Sequence, residues 1–384
     1  MAKIGVMGGT FDPIHNGHLA LARCAAGEYG LDKILFMTGG NPPHKKDKAV
    51  LDASFRHRMV KLAVKNIPNF VPCDYEIQLT DYSYTANTLR HLQEVYPDDE
   101  LYFIVGADSL NYVDRWYQPA EIFARCIVLV YHREGYDARE DAKHLRRAYG
   151  ADIRLIHAPE VKVSSTQIRE LVQAGKTISQ YVPQAVEEFI CKYRLYQAQD
   201  ISWEDRLKTL LKPQRFQHSL GVRDTAVKMA RKYGADPGKA AAAGLLHDCA
   251  KGLDIAAQLE MCRELDIALD QYEQENPGLI HAKLGAELIK CWFGITDPEI
   301  IEAVRWHTLG RVGMSDLAKI IFVADMVEPG REYPEAGKLR RTAFSGLDQG
   351  LYACVEATIQ FNLEKGAVVH PNAYALRDWI KNEI

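Results

Sequence analysis

Gly8-Gly9-Thr10-Phe11-Asp12-Pro13-Ile14-His15-Asn16-Gly17-His18 is the stretch on which the fold turns. A short apolar run, residues 3–7, leads into it. After it, from 16 to 29, Leu19, Ala22, Arg23 and Ala26 recur at helical spacing. A strand that runs through glycines into a helix brings backbone N–H groups and a favourable dipole to one point. That is a place for an anion. His15 and His18 are three apart, so at a helix start both rings share a face and can point at one polyphosphate. A glycine turn with two surface histidines is the plainer alternative, and eleven residues in this combination weigh against it.

Strand-like runs follow at 34–37, 70–73, 101–105, 127–131 and 153–156, with helical spacing between them at 53–66, 86–96 and 138–149. Such alternation predicts a parallel sheet covered on both faces. A helix over 183–195, with Pro183 in its first turn, closes this half. Residues 197–202 are polar and read as a linker. Beyond them the strand signal fades. Helical stretches at 215–233, 237–247, 256–265, 281–292, 298–307, 317–327 and 347–365 predict an all-helical second unit.

The 384 residues suit two to three domains. With 47% hydrophobic and 26% charged residues, wholesale disorder is excluded. Against 51 acidic side chains stand 47 Lys and Arg, a net charge of −4. That balance argues against nucleic acid as a partner, which needs a concentrated basic surface. No apolar run approaches the ~20 residues of a membrane span, and the N-terminus does not read as a secretory signal. The 8 cysteines form no C-x-x-C pair, so the expected setting is the reducing cytoplasm, with no membrane partner.

A second capped segment is Ser164-Ser165-Thr166-Gln167-Ile168-Arg169. Hydroxyls before an apolar-periodic run, with a guanidinium on the same face, make another phosphate cradle, although alone this is simply a capped helix. Together the two segments resemble the nucleotidyltransferases with an H-x-G-H signature, here His15-Asn16-Gly17-His18. Over about 1–196 the resemblance is to bacterial nicotinate-nucleotide adenylyltransferases (NadD type). Pro42-Pro43-His44-Lys45, Ser83-Tyr84-Thr85, Gly106-Ala107-Asp108 and Trp116-Tyr117 stand in family order. The resemblance implies an enzyme of NAD biosynthesis that joins nicotinate mononucleotide to the adenylyl group of ATP. It implies His15 and His18 as catalytic. It implies Gly8, Gly9, Thr10, Lys45, Gly106, Asp108, Ser165, Thr166 and Arg169 around ATP, and Thr85, Trp116 and Tyr117 around the nicotinate side. Mg²⁺ is expected on the ATP phosphates. Taken singly, Trp116 and Tyr117 read as core aromatics, Asp108 as an N-cap and Lys45 as part of a solvated basic loop.

In the second half His247-Asp248 ends an apolar helical stretch, where a charged pair is costly unless compensated. With His218, His281, His307 and Asp325 it forms an ordered His, His-Asp, His, His, Asp set that a metal would explain. The pattern resembles the all-α HD phosphohydrolase superfamily over 202–384. Arg215-Phe216-Gln217-His218-Ser219, Leu246-His247-Asp248-Cys249-Ala250-Lys251 and Ala324-Asp325-Met326-Val327-Glu328-Pro329-Gly330-Arg331 match its YqeK-type branch. The resemblance implies symmetric hydrolysis of diadenosine tetraphosphate to two ADP by two transition-metal ions, with iron expected. His218, His247, Asp248 and Asp325 would hold one ion. His281 and His307 would hold the other, with Asp248 bridging and also catalytic. Lys251 and Arg331 are candidate phosphate contacts, with a plain surface cation as the alternative for each.

The expected whole is an α/β Rossmann-like parallel-sheet nucleotidyltransferase domain, 1–196, fused to an all-α HD domain, 202–384, each with small-molecule nucleotide substrates. Two alternatives for the second half are a nucleotide-sensing regulatory domain and a hydrolase of another nucleotide.

Overall fold

The computed structural model describes residues 1–40, 50–79, 82–131, 139–159, 163–197 and 202–384; within them, the side chain of Asp108 is not described. The chain divides into two compact units, Met1–Gln197 and Ala198–Ile384.

The first unit runs β1 (Lys3–Gly9), α1 (Asn16–Tyr29), β2 (Lys33–Thr38), α2 (Ala53–Val64), β3 (Phe70–Cys73), α3 (Thr85–Val95), β4 (Glu100–Gly106), α4 (Ala107–Leu110), α5 (Pro119–Arg125), β5 (Ile127–Tyr131), α6 (Arg139–Tyr149), β6 (Ile153–Ile156), α7 (Ser165–Gln173) and α8 (Gln184–Lys192). Six parallel strands lie in the order β3-β2-β1-β4-β5-β6. Ile4, Val6, Leu35, Met37, Leu101 and Val128 are buried because helices cover both faces. The chain winds outward from β1 through β2 and β3, then crosses back to β4 and winds the other way. The order therefore reverses between β1 and β4, and a crevice at such a switch point is where open α/β sheets bind ligands. Gly8, Gly9 and Gly106 are the last residues of those two strands. The glycines thus lie inside the strand and not beyond it.

The second unit is helical: α9 (Trp203–Leu210), α10 (Pro213–Tyr233), α11 (Pro237–Leu246), α12 (Ile255–Glu264), α13 (Gln271–Glu275), α14 (His281–Trp292), α15 (Pro298–Trp306), α16 (Asp316–Val327), α17 (Ala336–Ser345), α18 (Leu347–Glu364) and α19 (Pro371–Lys381). Alanines let α10 and α11 approach closely. A Cβ at Gly244 would stand 2.9 Å from the Arg223 Cα across that contact. The helices α9, α13, α17 and α19 were not expected from the sequence. Their polar faces are broad and their apolar stripes narrow, although Pro371 after the His370 cap is an ordinary helix start. No helix is long and apolar enough to cross a membrane, among the described residues.

Candidate active sites

The loop after β1 is held from several directions. Phe11 has φ 49°, a costly left-handed conformation for a bulky residue, and its buried ring fixes it. That ring stands edge-on to His18, with centroids 5.1 Å apart. His15 caps α1, and its N–H donates to His18 Nδ1 at 3.2 Å. The two imidazoles stack at 3.7 Å, side by side as their spacing predicts. Gly17 lies close against the His15 ring. A Cβ there would meet His15 Nδ1 at 3.0 Å.

The cap of α7 comes to the same loop. Ser165 Oγ donates to the Pro13 carbonyl at 2.9 Å. Arg169 Nη1 donates to the Asp12 carbonyl at 2.7 Å, and its Nη2 to Thr166 Oγ1 at 3.3 Å. Two segments about 150 residues apart in sequence thus meet. Ser164 takes the N-cap role, accepting from the Gln167 N–H at 3.1 Å. Three anchors escaped the sequence reading. Tyr196 donates its hydroxyl to Asp12 Oδ1 at 2.7 Å. The guanidinium of Arg56, almost fully buried, donates to the carbonyls of Thr10 at 2.6 Å and Leu51 at 2.7 Å. Glu76 accepts from Thr88 Oγ1 at 2.7 Å beneath the start of α3. Burial pushes its carboxyl upward, against hydrogen bonds from Thr88 and Ser83.

Thr85 opens α3. Its neighbour Tyr84 packs on the exposed Tyr117, with ring centroids 4.7 Å apart. Trp116 is half-buried and meets Phe103 edge-on at 6.2 Å. These residues follow β3 and β4, so they share the carboxyl edge of the sheet with the histidine pair. Lys45 and the side chain of Asp108 lie outside the described residues.

In the second unit the candidate metal residues converge. His218 comes from α10, and Asp325 from α16. His247 and His307 end α11 and α15, Asp248 follows His247, and His281 begins α14. Three subsets of these six could hold a metal: His218, His247 and Asp248; His247, His307 and Asp325; Asp248, His281 and His307. The Nδ1–H groups of His247, His281 and His307 each donate to the carbonyl three residues back, Gly244 and Gly278 at 2.8 Å and Val304 at 2.7 Å. His218 Nδ1 lies 3.0 Å from Glu328 Oε1. A carbonyl can only accept, so these contacts fix the tautomer and turn each Nε2 lone pair inward.

The inward atoms surround both oxygens of Asp248. Its Oδ2 lies 3.5 Å from His247 Nε2 and 4.0 Å from His218 Nε2; its Oδ1 lies 3.3 Å from His281 Nε2 and 3.6 Å from His307 Nε2. Asp325 Oδ1 stands 2.9 Å from His218 Nε2. Burial opposes the charge on Asp248, but His247 and the other imidazoles outweigh it and hold the carboxyl well below the usual range. Burial, partly offset by Asp248, lowers His281 to about 4, so that ring is neutral as a ligand must be.

The donor set fits metal. His247 Nε2 is buried without a hydrogen-bond partner. The Nε2 atoms of His281 and His307 face each other at 3.1 Å, an unfavourable approach of two lone pairs that a cation between them relieves. Nitrogen and carboxylate donors without thiolate suit iron, manganese and similar ions. Arg331 Nη2 reaches Asp325 Oδ1 at 2.5 Å. Lys251 Nζ lies 3.4 Å from the Gly278 carbonyl, and burial lowers its pKa. Arg215, absent from the expected site, contacts Asp248 Oδ2 at 2.9 Å. Three cations thus border the cluster.

A cytidylyltransferase-like family model matches residues 6–171, and an HD-domain model matches 215–330. Over 199 residues the chain is 39% identical to a probable nicotinate-nucleotide adenylyltransferase of Clostridium novyi (strain NT), which covers 51% of this chain and 100% of the relative. A second probable nicotinate-nucleotide adenylyltransferase, from Desulfitobacterium hafniense (strain Y51), is 41% identical over 197 residues, 50% of this chain and 95% of the relative. Among solved structures, a predicted HD superfamily hydrolase involved in NAD metabolism from Clostridium acetobutylicum is 39% identical. It covers 47% of this chain and 96% of its own, with a TM-score of 0.46.

Proposed function

Because the chain belongs to the nicotinate-nucleotide adenylyltransferase family through its first unit and carries an HD domain in its second, we propose that it is a bifunctional nucleotide enzyme. The first unit transfers the adenylyl group of ATP to nicotinate mononucleotide, giving deamido-NAD and pyrophosphate. The second hydrolyses diadenosine tetraphosphate and water to two ADP, in a cytoplasmic setting.

For the transferase, the observation that carries the proposal is the stacked histidine pair at the head of α1, with Arg169 fastened to the same loop. A phosphate oxygen of the mononucleotide attacks the α-phosphorus of ATP, and the bond to the β-phosphate breaks. Both partners already carry the reacting groups, so the protein has to align them and neutralise charge. His15 and His18 sit where the charge develops. Ser165, Thr166 and Arg169, with Lys45, hold the departing pyrophosphate. Gly8, Gly9, Thr10, Gly106 and Asp108 line the ATP pocket. Thr85, Trp116 and Tyr117 take the nicotinate side, with Trp116 against the ring. Mg²⁺ arrives on the ATP phosphates. Replacing His18 by Ala should abolish pyrophosphate release, and near-normal release would overturn these roles.

For the hydrolase, the carrying observation is the convergence of four imidazole Nε2 atoms on the two oxygens of one carboxylate. His218, His247, Asp248 and Asp325 would hold one ion, and His281, His307 and Asp248 the other; the donor set suits iron, manganese and similar ions, and iron is what the family resemblance implies. Such a pair supplies Lewis acidity to phosphate oxygens and makes water a stronger nucleophile. Asp248, whose two oxygens face different imidazole pairs, would contribute to both positions. The Nδ1 contacts orient the imidazoles before any ion arrives. Lys251 and Arg331 offset the charge of the polyphosphate chain.

A further inference from the structure

Three of the four converging imidazoles rest their Nδ1–H groups on neutral backbone carbonyls, those of Gly244, Gly278 and Val304. The fourth, His218, rests instead on a carboxylate, with its Nδ1 3.0 Å from Glu328 Oε1. Glu328 follows α16 directly and stands three residues past Asp325. The two carboxylates thus come off one helix end and take the His218 ring from opposite edges. Asp325 Oδ1 lies 2.9 Å from Nε2, and Glu328 Oε1 lies 3.0 Å from Nδ1. An ionised carboxylate only accepts, so the hydrogen sits on Nδ1 and Nε2 faces the cluster.

The fold holds Glu328 in place, and the residue is 3% exposed. Its Oε2 accepts from the Gly330 N–H at 2.6 Å. Arg340 donates to the Val327 and Glu328 carbonyls at 2.7 and 2.9 Å and pins the turn from behind. Glycines leave the carboxylate its space: a Cβ at Gly221 would stand 2.5 Å from Oε2, and one at Gly330 would stand 3.0 Å from both oxygens. A buried carboxylate is costly unless positive charge or hydrogen bonds compensate it, and an ion on His218 would supply that charge.

We propose that Glu328 is a positioning residue for metal: through His218 it strengthens the ion position made by His218, His247, Asp248 and Asp325, and it leaves the position made by His281, His307 and Asp248 unaffected. This rests on the two-ion reading above. A carboxylate behind a ligating imidazole fixes the ring and adds negative charge near the ion. That charge has an opponent here. Arg331, in the same turn, reaches Asp325 Oδ1 at 2.5 Å and comes within 3.4 Å of His218 Nε2. Its guanidinium works against a cation at this position, and the Glu328 carboxylate offsets it. With two ligand carboxylates against one, the His218 position should be the tighter of the two.

The test titrates the full chain with Mn²⁺ and reads free Mn²⁺ by electron paramagnetic resonance. The wild type should bind two ions of unequal affinity, with His218→Ala losing the tighter and His281→Ala the weaker. Glu328→Gln should weaken the tighter ion about tenfold to a hundredfold and leave the weaker one unchanged. Glu328→Asp, which keeps the charge, should recover part of that loss. Amide exchange over residues 202–384 shows whether each variant keeps its fold. If Glu328→Gln opens, Glu328→Asp must still show a loss confined to the tighter ion. Unchanged binding in Glu328→Gln, or an equal loss of both ions in a folded variant, overturns the proposal. Two ions of equal affinity in the wild type overturn it and leave the two-ion reading standing, whereas fewer than two ions defeat both.

Discussion

Replacing Arg56 by Met keeps the aliphatic stem in its buried slot and removes the guanidinium. Two short charged hydrogen bonds are lost, to the carbonyls of Thr10 at 2.6 Å and Leu51 at 2.7 Å. At about 1.5–3 kcal/mol each, the gross loss is about 3–6 kcal/mol. Part is returned, because burial opposes the guanidinium charge and lowers its pKa, against the pull of Asp12. The net cost to the first unit is then about 2–4 kcal/mol. Because Thr10 lies in the histidine loop, the KM for ATP should rise as well. Hydrogen exchange in peptides from residues 1–197 reads the opening of this unit apart from the second. Arg56→Lys should recover part of the loss, since an ammonium cannot span both carbonyls with one planar fork. Exchange and KM both unchanged in Arg56→Met would refute the reasoning that this side chain staples the phosphate loop.

Two further outcomes are expected. Tyr196→Phe removes the hydroxyl from Asp12 Oδ1, at a cost of about 1–3 kcal/mol for the buried acceptor. The KM for ATP should rise more than kcat falls, and steady-state kinetics with ATP varied will check this. Glu76→Gln keeps an acceptor for Thr88 but removes the titration. Burial raises the folded pKa of Glu76, so its favourable term is complete below the unfolded value and is lost as pH rises through the folded one. The stability of the wild type relative to the Gln variant should fall as pH rises above the unfolded value of about 4.3, and urea midpoints measured from that pH upward should show it; a constant difference would contradict the burial of this carboxyl.

What the sequence made legible was local. His15 and His18 are three apart at the start of a helix, as N-cap and third helical residue, so that the spacing brings both rings to one side. The Nδ1 contacts of His247, His281 and His307 also span three residues, although the use of that spacing to fix a tautomer emerges only when the rings are seen to converge. The rest depends on contacts across long stretches of chain. Glu328 meets His218 across 110 residues, and Tyr196 meets Asp12 across 184. Arg56 reads as a surface charge on a helix, because its partners are backbone carbonyls of loops, which carry no side-chain signature. Arg215 stands in the string Arg215-Phe216-Gln217-His218, where nothing says that it faces Asp248.

The most direct measurement is on the second unit. Purified full-length protein is incubated with diadenosine tetraphosphate and Fe²⁺ or Mn²⁺, the products are separated, and Asp248→Ala serves as control. Two ADP per substrate, lost in the variant, is the predicted result. AMP with ATP, or no turnover by a chain that has bound its metals, would contradict a symmetric hydrolase.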